Sequence, residues 1–329
     1  MKLCMIGLRG HHGYVLDGLK LLPEIKVTGI GSGCEDDISP LKAKCEALGH
    51  NPKTFTDYRQ MLDDEKPDIV CVDGPFELHA EMCVEALHRN INVFCEKPIS
   101  LTITDLERVR KAFNSTSTVH LASMVGLRYA PAFMTAWKEV KNGAVGKVKM
   151  ITTQKSYKLG KRSEFFKKRS TYGGTIPWVG SHSLDWIYWF SGSKFKSVYA
   201  SHDSSDNFDL GDLEITSLYQ AVMENGVLAS GNIDYLRPAS APAHGDDRVR
   251  VAGTEGVIEV MGGKVNLMNA SGNREIECKP DRQIFADFVH HVQGKSISLV
   301  DAEQTFDLTE ACLLARESAD SGKVMFFKK

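Results

Sequence analysis

Met5-Ile6-Gly7-Leu8-Arg9-Gly10-His11-His12-Gly13-Tyr14 leaves a short apolar run, Leu3–Ile6, and enters a stretch of helical spacing, Tyr14–Leu22. Glycines placed in this way let a strand turn tightly into a helix. They also leave backbone N–H groups able to approach an anion at the helix N-terminus. The spacing is G-x-x-G-x-x-G, one residue away from the G-x-G-x-x-G of dinucleotide-binding turns. Alone, such a loop is also an ordinary strand-to-helix turn, so its surroundings decide. Working outward, the runs Val27–Ile30, Ile69–Val72, Ile91–Cys95 and Val119–Ala122 read as strands buried on both faces. Between them, Leu41–Leu48, Leu78–Leu87 and Asp105–Phe113 carry helical spacing, the last capped by Thr102 or Thr104. Strand–helix alternation of this kind predicts an α/β domain, a doubly wound parallel sheet covered by helices on both sides.

From about residue 146 the texture changes. Polar–apolar alternation runs through Val148–Tyr157, Val198–His202, Leu213–Met223 and Val227–Leu236. Asn225-Gly226, Glu255-Gly256, Gly262-Gly263 and Ser271-Gly272 supply turns. Helical stretches are expected at Ser181–Phe190, Ile284–Val292 and Ala302–Ala319. The expected architecture is a first domain over 1–122, followed by an α+β domain over 123–329 built on a large, mostly antiparallel open sheet. No internal repeat or low-complexity tract interrupts it.

The 329 residues leave room for two domains, and 42% hydrophobic with 25% charged residues is ordinary globular composition. A net charge of −2 gives no basic footprint for nucleic acid. The one local exception is the cluster Lys161, Arg162, Lys167, Lys168 and Arg169, read as a solvated loop or as a contact for an anionic ligand. Eight cysteines never form a C-x-x-C pair, and several lie in apolar patterns, as suits a reducing compartment. No apolar run approaches the ~18 residues of a membrane span. A cytoplasmic protein is expected, with no membrane partner. His11-His12 and His290-His291 project in different directions on regular backbone, so no metal is expected.

Two further segments sharpen the picture. Asp68-Ile-Val-Cys-Val-Asp73-Gly74-Pro75-Phe76-Glu-Leu-His79 is a strand, a proline turn and a helix start; Asn92-Val-Phe-Cys95-Glu96-Lys97-Pro98 is a strand ending in a charged pair locked by proline. With the glycine loop, these resemble the glucose–fructose oxidoreductase, inositol dehydrogenase and rhizopine-catabolism (Gfo/Idh/MocA) family, whose hallmark is a Glu-Lys-Pro tripeptide at this point. Gly126-Leu-Arg128-Tyr-Ala-Pro131 and the turn Gly143-Ala-Val-Gly146 extend the likeness over nearly the whole chain. The resemblance implies a Rossmann-type first domain that binds NAD or NADP. Gly7, Leu8, Arg9, Gly10, His11, Gly13, Ser32, Pro75, Phe76, His79, Glu96 and Lys97 would contact the cofactor. Ser32 stands where many such folds carry an acid for the ribose hydroxyls. Glu35, Asp36 and Asp37 follow it, with no nearby arginine in sequence, so the reading leans to NAD.

Lys97 resembles the family's catalytic lysine. An ammonium beside a positively charged ring in a desolvated cleft gives up its proton readily, and can relay the proton of a substrate hydroxyl. A plain surface ion pair with Glu96 is the alternative. In the second half, Tyr172-Gly173-Gly174-Thr-Ile-Pro-Trp178-Val-Gly-Ser181-His182-Ser-Leu-Asp185 matches a Gly-Gly run followed by a catalytic histidine, His182. Trp178 occupies the position of the family's aspartate, which would fix the histidine tautomer. The expectation is that His182 and Lys97 frame the reacting carbon and that Asp185, three residues on, orients His182. Arg128, Lys155, Tyr157, Tyr172 and Trp178 are candidate substrate contacts.

The resemblance therefore implies a dehydrogenase acting on the CH–OH group of a sugar, inositol-like polyol or derivative. Two other readings stay open: an NAD-retaining enzyme that cleaves glycosides or acts as a lyase through transient oxidation, and a cofactor-binding regulatory protein whose catalytic pair has decayed. The uncovered face of the second sheet implies a homodimer or homotetramer.

Overall fold

The computed structural model describes residues 1–116 and 118–327, which fall into two compact units. The first comprises Met1–Gly126 and Arg282–Thr309. Its strands are β1 (Lys2–Ile6), β2 (Lys26–Gly31), β3 (Lys53–Phe55), β4 (Ile69–Val72), β5 (Asn92–Cys95) and β6 (Leu121–Ser123). They pair in parallel in the order β3-β2-β1-β4-β5-β6. The order reverses between β1 and β4, where Ile6 lies opposite Val72; ligands of open α/β sheets bind outside the strand ends at such a switch point. Leu3–Ile6 and Ile69–Val72 are fully buried, which is why both read as unbroken apolar runs.

The connecting helices are α1 (Gly13–Leu19), α2 (Ser39–Ala47), α3 (Tyr58–Glu65), α4 (His79–His88) and α5 (Ile103–Asn114). Thr102 caps α5 by accepting from the Asp105 N–H at 3.0 Å, and Asp57 caps α3 through the Arg59 N–H at 2.8 Å. β3 and α3 are absent from the sequence reading. Three residues are too few to show alternation, and polar residues dilute the apolar positions Tyr58, Met61 and Leu62 of α3.

The second unit comprises Leu127–Asp281 and Glu310–Lys329. It holds α6 (Pro131–Lys141), β7 (Val148–Tyr157), α7 (Arg169–Tyr172), α8 (Ser181–Ser191), β8 (Phe195–Asp203), β9 (Thr216–Met223) and β10 (Leu228–Asp234). β11 (Gly245–Gly253), β12 (Gly256–Met261), β13 (Lys264–Asn269), β14 (Gly272–Ile276) and β15 (Met325–Phe326) complete the sheet. The order is β14-β13-β12-β11-β7-β10-β9-β8-β15, antiparallel throughout except for the parallel β7–β10 pair. All four glycine turns read from the sequence join hairpins of this sheet. On β7, Ile151, Thr153 and Lys155 point inward and are buried, while Met150 and Thr152 point outward. The helix α8 covers the inner face. A side chain at Gly180 would stand 2.5 Å from Ile233 Cδ1, so only glycine lets the start of α8 approach β10 so closely.

Two further helices are α9 (Ile284–Val292) and α10 (Ala302–Ser321). α9 corrects the expected boundary: the chain after 123 is not one contiguous domain, because 282–309 belongs to the first unit. Phe285 and Phe288 of α9 pack on Phe94 of β5, with ring centroids 5.4 and 5.2 Å away. Gly18 of α1 makes room, since a side chain there would meet Phe285 Cβ at 2.9 Å. An apolar helix face does not say in sequence which sheet it will cover. Among the described residues, no helix is long and apolar enough to cross a membrane.

Candidate active site

In the first unit the glycine loop bends from β1 into α1 over two buried carboxylates. Gly7 takes a left-handed φ of +79°, and a side chain there would stand 2.4 Å from Gly74 Cα. At Gly10 a side chain would meet Asp73 Oδ1 at 2.5 Å and Glu96 Oε2 at 2.6 Å, so the two acids converge beneath this one residue. The His11 N–H and His11 Nδ1 each lie 2.7 Å from Glu96 Oε2, and the His12 N–H donates to Asp73 Oδ2 at 2.9 Å. The adjacent histidines thus take different acids. Burial raises the Asp73 carboxyl above its usual range, with His12 opposing. Burial would also raise Glu96, but the charge and hydrogen bonds of His11, and the charge of Lys97, hold it down to about 2. Two neighbouring acids are driven apart in this way wherever one is better supplied with donors.

Asp73 was not among the sequence-derived site residues. Its signal was an acid closing an otherwise apolar strand, Ile69-Val-Cys-Val-Asp73. It organises the loop twice over, since its carbonyl also accepts from the Arg9 N–H at 2.9 Å.

Lys97 lies two residues past the end of β5 and is only 3% exposed; its Nζ stands 4.0 Å from Glu96 Oε1, and its own N–H donates to that oxygen at 2.8 Å. The Lys97–Pro98 peptide is cis. His79, read as a cofactor contact, is fully buried: its ring nitrogens face Pro98 O at 2.9 Å and Gly74 O at 3.0 Å. It is a brace that ties the turn after β4 to the turn that presents Lys97. Pro75 opens that first turn, and Phe76 is enclosed, its ring tilted on His79 at 5.2 Å. Ser32 is also buried, its hydroxyl donating to Cys34 O. Arg9 corrects another expectation. Its Nε and Nη2 reach Asp36 at 2.5 and 2.9 Å, so a guanidinium does lie beside the end of β2. Twenty-seven residues of chain hide that proximity in the sequence.

In the second unit, Tyr172-Gly173-Gly174 runs into a π-helical turn, Ile176–Gly180, and then into α8. Gly174 adopts a φ of +106°, and Glu214 fixes the run by accepting from the Thr175 N–H at 2.9 Å while pairing with Arg169. His182 lies in the first turn of α8 and is buried. Asp185 does not act on His182 as expected. Both of its oxygens are taken by Arg128, with Nε at 3.0 and 2.9 Å and Nη2 at 2.5 Å, and both residues are fully buried. Arg128, expected at the substrate, is instead the counter-ion of Asp185 and stacks on Trp189 at 5.6 Å. Tyr172, expected as a substrate contact, is interior, its hydroxyl bonded to that of Tyr235 at 2.8 Å.

Lys155 is fully buried and meets Asp247, its cross-strand neighbour on β11, at 2.7 Å. The approach is too oblique for a hydrogen bond and is an ion pair. Burial pushes the Lys155 amine down to about 8, against the pull of Asp247. The ammonium also lies 4.4 Å from the Tyr157 ring centroid and 5.4 Å from that of Trp186, and Tyr157 packs on His244 at 4.9 Å. Trp178 is half-buried with Phe166 edge-on at 6.4 Å. Asp247 and His244 thus join Lys155 and Tyr157. Neither was singled out as a site residue, because nothing in a local pattern links Lys155 to a position 92 residues away.

Residues 1–123 match the model of the oxidoreductase family with an NAD-binding Rossmann fold, and residues 133–259 match the GFO/IDH/MocA C-terminal domain. D-glucoside 3-dehydrogenase from Escherichia coli (strain K12) is 25% identical over 311 residues, covering 88% of this chain and 87% of its own. Myo-inositol 2-dehydrogenase from Thermotoga maritima is 24% identical over 260 residues, covering 78% and 74%. A solved Thermotoga maritima structure that carries an oxidoreductase designation is 45% identical, with a TM-score of 0.96 over 99% of this chain and 100% of that one. With the sheet order, the glycine turn and the Glu96-Lys97-Pro98 strand end in place, this chain belongs to the Gfo/Idh/MocA family of oxidoreductases.

Proposed function

We propose that this chain is a dehydrogenase that moves hydride between a nicotinamide dinucleotide and a secondary alcohol of a sugar, an inositol-like polyol or a derivative. The observation that carries the reading is Lys97: an ammonium 3% exposed, at the end of a parallel strand beside the switch point, with a buried carboxylate 4.0 Å away. The glycine loop suits a dinucleotide. Leu8, Gly10 and Gly13 keep N–H groups that meet no protein acceptor among the described residues, and a side chain at Gly13 would project into open space. Those residues, with Arg9 and Ser32, would hold the cofactor, which supplies the hydride acceptor or donor when bound. Lys97 as the neutral amine takes the hydroxyl proton as the alcohol becomes a carbonyl, and as the ammonium returns it in the reverse direction, with Glu96 beside the charge that the amine gains. The test is a change in absorbance at the reduced-nicotinamide band over a panel of sugars and polyols. Silence across the whole panel would remove the reading.

His182 serves as an acid–base at a substrate hydroxyl in this proposal. His182→Asn is expected to lower kcat roughly 10²-fold with dinucleotide affinity unchanged; wild-type turnover would take His182 out of the mechanism. For the cofactor, the reading is NAD. Asp36 holds the Arg9 guanidinium bidentately and would repel a 2′-phosphate, so Asp36→Asn is expected to tighten NADP binding roughly tenfold. Calorimetric titration with NAD and NADP checks this, and equal NADP affinity in the two proteins would sink it.

The outer face of the second sheet exposes Leu218 (63%) and Leu228 (56%) together with Met150 and Tyr199. This apolar strip favours a homodimer or homotetramer built on that face. Light scattering should give a multiple of 36.4 kDa, and Leu218→Lys should return it to one chain.

A further inference from the structure

The basic cluster read from the sequence has a structural counterpart that the proposed chemistry leaves unused. An open cavity of about 810 Å³ in the second unit is lined by Lys158, Lys161, Arg162 and Arg237, by the Tyr235 ring and by apolar side chains, with no acidic residue among its walls. Two of the four cations are already held. Lys158 donates to the carbonyls of Ala239 (2.9 Å) and Ala241 (2.5 Å), and Arg237 donates to Ala243 O at 2.9 Å and stands 3.6 Å from Asp246. Arg162 and Lys161 have no ion-pair partner among the described residues. The Arg162 guanidinium lies over the rings of Tyr235 (4.6 Å) and Phe166 (5.0 Å), and its Nε is buried without an acceptor.

A guanidinium held over two aromatic rings, with a buried Nε short of an acceptor, and lining a space free of carboxylates, is arranged for a planar or tetrahedral oxyanion. The same rings lead towards α8 through side chains already described: Tyr235 bonds Tyr172, and Phe166 meets Trp178, four residues before His182. The volume is that of a small-molecule site, and a chain of net charge −2 carries no field for a polyanion. We propose that the substrate is an anionic sugar or polyol, whose carboxylate or phosphate group is seated on Arg162 and Lys161. This rests on the dehydrogenase reading above and narrows its substrate class.

The test is calorimetric titration of the full chain with D-glucuronate, D-galacturonate, D-glucose 6-phosphate, D-glucose, D-galactose and inorganic phosphate. A charged sugar is expected to bind roughly ten- to hundredfold more tightly than its neutral counterpart, the margin falling as salt rises. Arg162→Gln should abolish that margin and leave neutral-sugar binding as it was. Tighter binding of the uronates identifies a carboxylate, and of the phosphate ester a phosphate. Should Arg162→Gln unfold, Lys161→Gln, exposed on the rim, is expected to weaken the charged sugar alone. Equal binding of charged and neutral sugars overturns the proposal, as does inorganic phosphate binding as tightly as any sugar. A charged sugar that binds through Arg162 but never alters nicotinamide absorbance would refute the dehydrogenase reading and spare the site. Charged sugars turned over at a rate blind to Arg162→Gln would refute the site and spare the reading.

Discussion

Lys97→Met should lower kcat by roughly 10²- to 10⁴-fold, the usual worth of a positioned proton-transfer group, while dinucleotide affinity stays close to wild type. Methionine keeps the length and apolar body of the lysine stem, so the packing around β5 is retained. The carboxylate left behind is not orphaned. Glu96 still accepts from the His11 N–H, faces His11 Nδ1 and accepts from the N–H of residue 97, at 2.7, 2.7 and 2.8 Å. Loss of activity in this variant therefore reports on the amine and not on collapse of the loop, and a circular dichroism melt near that of wild type would confirm it.

Lys97→Arg separates two roles that Lys97→Met merges. A guanidinium keeps the positive charge beside Glu96 but cannot give up its proton near neutral pH. If the amine only stabilises charge, arginine restores most of the activity; if it carries the hydroxyl proton, arginine stays as slow as methionine. The proposal requires the second outcome. Rate recovery in Lys97→Arg, measured by single-turnover absorbance, would leave Lys97 as an electrostatic residue and move the proton elsewhere.

The legible parts of this molecule are those written in short stretches. Buried strands of the first sheet appear as unbroken apolar runs because helices cover both faces, and hairpins of the second appear as alternation closed by glycine pairs. Glu96-Lys97-Pro98 was legible because a charged pair at the end of an apolar strand has little structural reason to be there. What stayed hidden is pairing at a distance. Nothing near Arg9 announces Asp36, nothing near Lys155 announces Asp247, and α9 carries no mark of the sheet it covers. His79 is a subtler case: the motif made it a cofactor contact, but its ring nitrogens face the carbonyls of Pro98 and Gly74, so it holds the turn. Asp185 misled for a related reason. Spacing of three residues puts it on the face of His182, and spacing is blind to an arginine 57 residues away.

That arginine gives the largest expected effect on stability. Removing either partner of the Arg128–Asp185 pair should cost about 3–5 kcal/mol, because the survivor is a charge with neither water nor a counter-ion. In a domain of this size the melting temperature falls on the order of 10 °C, read by calorimetry. The two single variants should differ with pH. Burial already outweighs Arg128 and raises the Asp185 carboxyl above its ordinary value of 3.8. In Arg128→Met only burial remains, so the folded carboxyl rises further while the unfolded one stays near 4. Between those two values the folded state holds a proton that the unfolded state has released. Stability of Arg128→Met therefore falls as pH rises through that window, and its deficit against wild type is smallest in acid. Asp185→Asn leaves a guanidinium that stays charged at every accessible pH, so the stability of this variant takes no pH dependence from the pair, and its deficit against wild type is largest in acid. The double variant Arg128→Met/Asp185→Leu should recover most of the loss, since a buried pair replaced by apolar side chains of similar volume is often no less stable. Single variants that each cost less than about 1 kcal/mol would mean that the pair behaves like a surface contact, and would undo this account of why α8 holds its place.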